Sequence, residues 1–203
     1  QKIISAEADT SVANDYRDSR EQVLKELSKL IDIDSFEDAS GVTHVLLANG
    51  RPLVGGGQSW QLSTQINAAG LNDVVWLDQS GTATIITGDI AAGKLKGYFK
   101  VRDEIITDDL NRLDTLAQTL MTDINTLHQA GFALDGSPGL AFFNGTGAGN
   151  MALNTTIAGS PDLIAAAADA ATVPGDNRQA IAIAELQYQL RMSGNTATYN
   201  DYY

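Results

Sequence analysis

A chain of 203 residues and 21.5 kDa, 43% hydrophobic and 19% charged, suits one large domain or two small ones, and a core of this size needs no disulfide or metal staple. Thirteen Lys and Arg against 25 Asp and Glu give a net charge of −12 and a pI near 4.3, which opposes phosphate backbones and anionic lipid surfaces. No cysteine is present, so zinc-finger, thiol-redox and Cys-nucleophile chemistry are excluded.

The densest basic stretch, from Lys94 to Arg102, is followed at once by Asp103-Glu104, so it forms no isolated cationic patch. No apolar run approaches the roughly 20 residues of a membrane-spanning helix. Gln1-Lys2-Ile3-Ile4-Ser5 lacks the apolar region of a signal peptide. Opening on Gln and stopping on Tyr199, Tyr202 and Tyr203, the chain reads as the middle of a longer protein.

The first element expected is a helix over 14–33, capped by Asn14 or Asp15, with Val23, Leu24, Leu27, Leu30 and Ile31 as its apolar stripe. Residues 42–90 predict a small, mostly antiparallel β section. Val42, Val45, Leu46 and Leu47 lead into Asn49-Gly50, a strong hairpin signal, and Gln79-Ser80-Gly81 marks a second turn. A long helix over 95–131 carries the strongest period in the chain. Ile106, Leu110, Leu113, Ala117, Leu120, Ile124 and Leu127 alternate spacings of 4 and 3, the seam of a left-handed helix bundle. Thr107 is its expected cap and Gly131 its stop.

Residues 133–174 read as a Gly/Ala-rich insert, either loops with a helical turn near Ile164–Ala171 or a small subdomain. A last helix over 177–193 presents Ala180, Ile183, Leu186 and Leu190 on one side. The class expected is α+β, long amphipathic helices packed as a bundle with a small, mostly antiparallel β section, all in one mixed core domain over 1–203.

Little in this pattern carries chemistry. His44 lies in a predicted strand and His128 in the last turn of the long helix; no HxxxH, HxH or HExxH spacing exists, and both read as structural. Gly145-Thr146-Gly147-Ala148-Gly149 opens no helix and has no nearby Lys, so it reads as a flexible connection and not a phosphate loop. The acidic residues are scattered and no EF-hand spacing occurs. No catalytic, cofactor-binding or metal-binding residue is assigned, and no cofactor is expected.

Several stretches together resemble the flagellar hook-associated proteins of the hook–filament junction, the FlgK family. Asn14-Asp15-Tyr16-Arg17-Asp18-Ser19-Arg20 leads into a helix containing Leu27-Ser28, like the family's Asn-Asp-Leu-Leu-Asp-x-Arg-Asp segment. Asn49-Gly50-Arg51-Pro52-Leu53-Val54-Gly55 and Gly93-Lys94-Leu95-Lys96-Gly97, with Arg102-Asp103, follow in family order. Asn125-x-x-His128-x-x-Gly131, then Ala141-Phe142-Phe143, then Gly175-Asp176-Asn177 complete the set.

The resemblance implies a non-enzymatic structural subunit of the bacterial flagellum, serving its assembly and motility, extracellular and exported without a cleavable signal peptide. Its implied partners are copies of itself, the hook protein and the next hook-associated protein, while this central fragment, lacking the terminal coiled-coil arms, is expected to be monomeric alone. A surface-exposed adhesin or phage-tail-like binding module, with 133–174 as its ligand surface, stands as the alternative. An enzyme built on His128 or a carboxylate pair is the remaining rival.

Overall fold

The structure, a computed structural model, describes residues 14–202; the readings made on Gln1–Ser5 and Tyr203 lie outside the described residues. Two compact units divide between Ile105 and Ile106. Each combines helices with small antiparallel sheets, an α+β architecture.

The first unit opens with α1 (Asn14–Leu30). Its buried stripe is narrower than the spacing predicts: Leu24 and Leu27 pack on the core and Ile31 is buried just past the helix end, while Val23 and Leu30 are exposed. Residues 33–37 are not helical. They form β1 (Ile33–Glu37), extended through its antiparallel pairing with β2 (Thr43–Leu47). β3 (Pro52–Gly55) and β4 (Gln58–Ser59) complete a four-stranded sheet in the order β1-β2-β3-β4. β5 (Gln61–Ile66), β6 (Asn72–Leu77) and β7 (Ala83–Ile85) form a second meander.

Three of the hairpin turns use one recipe. At Asp38, Asn67 and Asp78 the side-chain Oδ1 accepts the backbone N–H groups two and four residues on. A glycine three residues after each (Gly41, Gly70, Gly81) takes the positive φ that closes the turn.

Ile31, Val45, Leu47, Leu53, Val74, Trp76, Ile86 and Ile90 form the core between the two sheets. Trp76 is held by its indole N–H, which donates to the Pro52 carbonyl at 2.8 Å. The unit ends with α2 (Gly93–Phe99) and a π-helical stretch, Lys100–Ile105. Gly93 has φ +83°, and a Cβ there would lie 2.7 Å from the Leu30 carbonyl carbon and oxygen, so α2 starts against the end of α1.

The second unit opens with α3 (Ile106–Ala130). Lys100–Ile105 are already helical, so Thr107 lies inside a helical run and caps nothing. Ile106, Leu110 and Leu113 are exposed; along the rest of the helix Ala117, Met121 and His128 are buried, more deeply than Leu120 and Leu127. α3 packs against β8 (Phe143–Asn144), α5 (Arg178–Glu185) and α6 (Tyr199–Tyr202). β8 pairs with β9 (Ala152–Leu153), which leads into the short α4 (Thr155–Gly159), capped by Asn154.

The glycine loop 145–149 is not a free connection. Asp114 accepts the Ala148 N–H at 2.7 Å and Gln118 donates to the Thr146 carbonyl at 2.7 Å, tying the loop to α3. Of the helical turn expected near Ile164–Ala171 only the end forms, as a single 3-10 turn at Ala170–Thr172; residues 164–168 are extended, because their backbone donors are spent elsewhere: Ala165 on His128, Ala167 on Phe132 and Ala168 on Asp176. α5 stops at Glu185 and Leu186–Tyr188 form a single 3-10 turn; Leu186 is buried, while Ala180 and Leu190 face solvent.

Candidate functional site: a lock around His128

Asn125 and His128 stand about one turn apart on α3, so both project from one side of the helix toward the chain that follows it. Asn125 pairs with both backbone groups of Phe143. Its Nδ2 donates to the carbonyl at 2.9 Å and its Oδ1 accepts the N–H at 2.8 Å, fixing the start of β8 on the helix.

His128 has 0% of its surface exposed. Its Nδ1 lies 2.7 Å from the Leu140 carbonyl, and its Nε2 lies 2.9 Å from the Ala165 N–H. A backbone N–H can only donate, so Nε2 is the acceptor and Nδ1 carries the hydrogen. Two backbone contacts therefore fix a neutral imidazole in one tautomer. The Phe142 ring covers it at 5.1 Å, with Phe143 edge-on to Phe142 at 4.9 Å.

The helix end is crowded. A Cβ at Gly131 would lie 2.6 Å from the Gln179 Cγ and 3.0 Å from the Ala167 oxygen. One at Gly139 would lie 1.8 Å from the His128 oxygen, so only glycine lets that segment pass. Gln179 of α5 is itself buried and donates to the Leu127 carbonyl.

Asp176 organises the approach to α5. It accepts from the Ala168 N–H at 2.9 Å, the Thr172 hydroxyl at 3.0 Å and the Arg178 N–H at 3.0 Å, and pairs with the Arg178 guanidinium at 2.9 Å. That guanidinium, with the N–H donors, holds the carboxyl far below the usual carboxylate range. Gly175 sits in the turn before it, donating to the Thr172 carbonyl. Asn177 is the N-cap position of α5 by backbone only, with no side-chain cap bond.

Asn125, His128, Gly131, Gly175 and Asp176 thus belong to one connected hydrogen-bonded region of the second unit. Asn14, Asp15 and Asp18 are exposed on α1 in the first unit. Arg20 reaches from α1 to Glu37 at 2.9 Å and to the Thr43 hydroxyl, anchoring the helix to the β1–β2 hairpin. Gly139, Ala165 and Gln179 were not legible as partners. Only Pro138-Gly139 carries a local signal, that of a turn.

Two residues before Asn125, Asp123 is buried and receives both arms of the Arg191 guanidinium and the Tyr199 hydroxyl. The Arg191 bond lowers the Asp123 pKa, whereas burial and then the bond to Asp123 raise that of Tyr199. This latch ties the segment after α5 to α3.

Chemically, the region is built to hold chain segments. Both His128 nitrogens are consumed by backbone groups, and no hydroxyl or carboxylate bonds the ring. Among the described residues no cluster of His, Cys, Asp or Glu could hold a metal ion, and no helix is long and apolar enough to cross a membrane. An open groove of about 380 Å³ runs beside α3, lined by Asp109, Arg112, Leu113, Leu116 and Tyr202.

The model of the FlgK helical domain of flagellar hook-associated proteins matches residues 1–143, a span that holds Asn125, His128, Gly131 and the Phe142-Phe143 pair. Gly175-Asp176-Asn177 lie beyond it. The chain is 28% identical to flagellar hook-associated protein 1 of Salmonella typhimurium over 134 residues, 64% of this chain and 24% of that protein. It is 28% identical to flagellar hook-associated protein 1 of Escherichia coli K12 over 164 residues, 75% and 30% respectively. The matches therefore span under a third of these relatives' length. In fold it is similar to the flagellar hook junction protein FlgK of Burkholderia pseudomallei, with a TM-score of 0.60 at 24% identity over 70% of this chain and 27% of that one. With a family model covering 143 of its 203 residues, the chain belongs to the FlgK family of flagellar hook-associated proteins.

Proposed function

We propose that the protein is a structural component of the bacterial flagellum, a junction subunit connecting hook to filament through subunit–subunit contacts and not through catalysis. The observation that carries this reading is the family match over residues 1–143. A His128 closed on both nitrogens by backbone agrees with a scaffolding role. In this reading the subunit is exported without a cleavable signal peptide. It contacts copies of itself, the hook protein below and the next hook-associated protein above.

The exposed Ile106, Leu110 and Leu113 are the part of the α3 seam that a helix bundle would cover, and their spacing supports such packing. Alone, with that surface uncovered, the chain is monomeric at micromolar concentration. Immunogold labelling of the intact protein on flagellated cells tests the role. The expected result is gold confined to the hook–filament junction, with filaments lost when the gene is deleted. Gold elsewhere, or normal filaments in the deletion strain, overturns it.

A further inference from the structure

The first unit carries a bare helix face that its own packing does not explain. α2 turns Leu95 and Phe99 toward the core. On its outer side a Cβ added at Gly97 would meet nothing within 4 Å. Glycine weakens a helix interior relative to alanine, and here no close approach within the unit demands it. Around it Tyr98 is 66% exposed and Val101 47% exposed. Lys94 and Lys100 flank them, exposed and without an ion pair among the described residues. The result is an apolar notch edged by cations on a chain of net charge −12.

The second unit carries the opposite shape and charge. Its cations are Arg112, Arg178 and Arg191 alone, and each is engaged, on the Tyr202 carbonyl, Asp176 and Asp123 respectively. On the outer side of α5, Ile181 and Glu185 stand one turn apart, with Tyr188 in the turn that follows. Ile181 is 48% and Tyr188 76% exposed, and Glu185 is exposed between them. This is an apolar ridge bearing an anion.

We propose that the Gly97 notch of one copy receives the Ile181–Glu185–Tyr188 ridge of a second copy, with Lys94 and Lys100 facing Glu185. The two surfaces are different, so the contact is heterologous: in a pair one copy keeps a free ridge and the other a free notch for further neighbours. It names the surfaces for the self-contact in the junction reading and rests on that reading. A single small contact between acidic chains is weak, visible at several hundred micromolar and absent at micromolar concentration.

The test is sedimentation velocity and heteronuclear NMR on the chain at rising concentration, in about 0.1 M and about 1 M salt. The expected result is self-association in low salt that fades in high salt, with shifts confined to residues near Gly97 and Glu185. Lys94→Glu/Lys100→Glu and Glu185→Lys each lower the association constant about tenfold, and an equimolar mixture of the two variants restores it. Gly97→Leu fills the notch and abolishes association while the spectrum stays that of the folded chain. A monomer throughout the range, variants that associate like the parent, or a mixture that does not recover overturns the contact. If that happens while the gold label still marks the junction, the contact fails and the role stands; a label elsewhere overturns the role itself.

Discussion

Ala165 donates its backbone N–H to Nε2 of His128 at 2.9 Å from 37 residues further along the chain. That bond, with the one from Nδ1 to Leu140, lets a single imidazole close two segments onto α3. An extended run of alanines has no side chain with which to anchor itself, so the buried ring supplies the polar partner that its backbone needs.

Replacing His128 therefore takes the partner from the buried Ala165 N–H and the half-buried Leu140 carbonyl. His128→Phe fills the space but satisfies neither the Leu140 carbonyl nor the Ala165 N–H, and each such orphan costs about 1–3 kcal/mol. The expected loss is about 2–5 kcal/mol in urea unfolding of the second unit. A change below about 0.5 kcal/mol would show that the ring is not holding these strands.

Asn125 makes the same kind of bond with different chemistry, donating and accepting at once toward Phe143. Asn125→Asp keeps the shape and the acceptor but sets a carboxylate oxygen against the Phe143 carbonyl. Asn125→Asp is expected to be at least as destabilising as Asn125→Ala, which should lose about 1–3 kcal/mol. Thermal unfolding of the two variants compares them directly, and a tolerated Asp would mean that Nδ2 contributes nothing.

What the sequence discloses here is mostly local. The spacing of Leu24 and Leu27, the Asn49-Gly50 turn and the 4-and-3 rhythm of α3 are visible because they repeat within a few residues. β1 is hidden because Asp32 and Asp34 interrupt a short apolar pattern that only pairing with Thr43–Leu47 makes extended. The Asp38, Asn67 and Asp78 turns share a local signature, an Asx residue three before a glycine, that is legible in the sequence. The His128 lock is different in kind. Its partners at 140, 143, 165 and 179 are set by tertiary contact, and no periodicity in a single sequence announces that Gly139 must clear a carbonyl. The 164–168 alanines show the converse, strong helix formers drawn into an extended run by bonds to distant groups.

Acid should loosen the second unit through its bonded carboxylates. Asp123 is held below the ordinary carboxylate pKa by Arg191, and Asp176 by Arg178. A carboxyl with a depressed folded-state value contributes stability that is complete above the unfolded-state value of about 3.9 and disappears as pH falls through the folded-state value. Stability should therefore be level from about pH 5 upward, as far as these two groups are concerned, and fall steadily below about pH 4. Asp123→Asn should lower the plateau and flatten the acid slope in urea titrations between those limits. An unchanged slope would exclude the latch as a source of acid sensitivity.

Gly93 and Gly97 lie one helical turn apart, and substitution should move stability in opposite directions. At Gly93 the backbone has φ +83° and an added Cβ would meet the Leu30 carbonyl at 2.7 Å, a backbone contact that no side-chain rotation relieves. Gly93→Ala combines left-handed strain with separation of α2 from the end of α1, so a loss of about 2–4 kcal/mol is expected. At Gly97 the backbone is helical and the surrounding space is open. There Gly97→Ala removes unfolded-chain freedom without a clash and should gain about 0.5–1 kcal/mol. Differential scanning calorimetry reads both as shifts in Tm, downward for the first and upward for the second. If both fall, Gly97 is required by packing within the first unit, and the notch it leaves on α2 has an internal reason; if Gly97→Ala rises, the glycine is kept for something outside the fold.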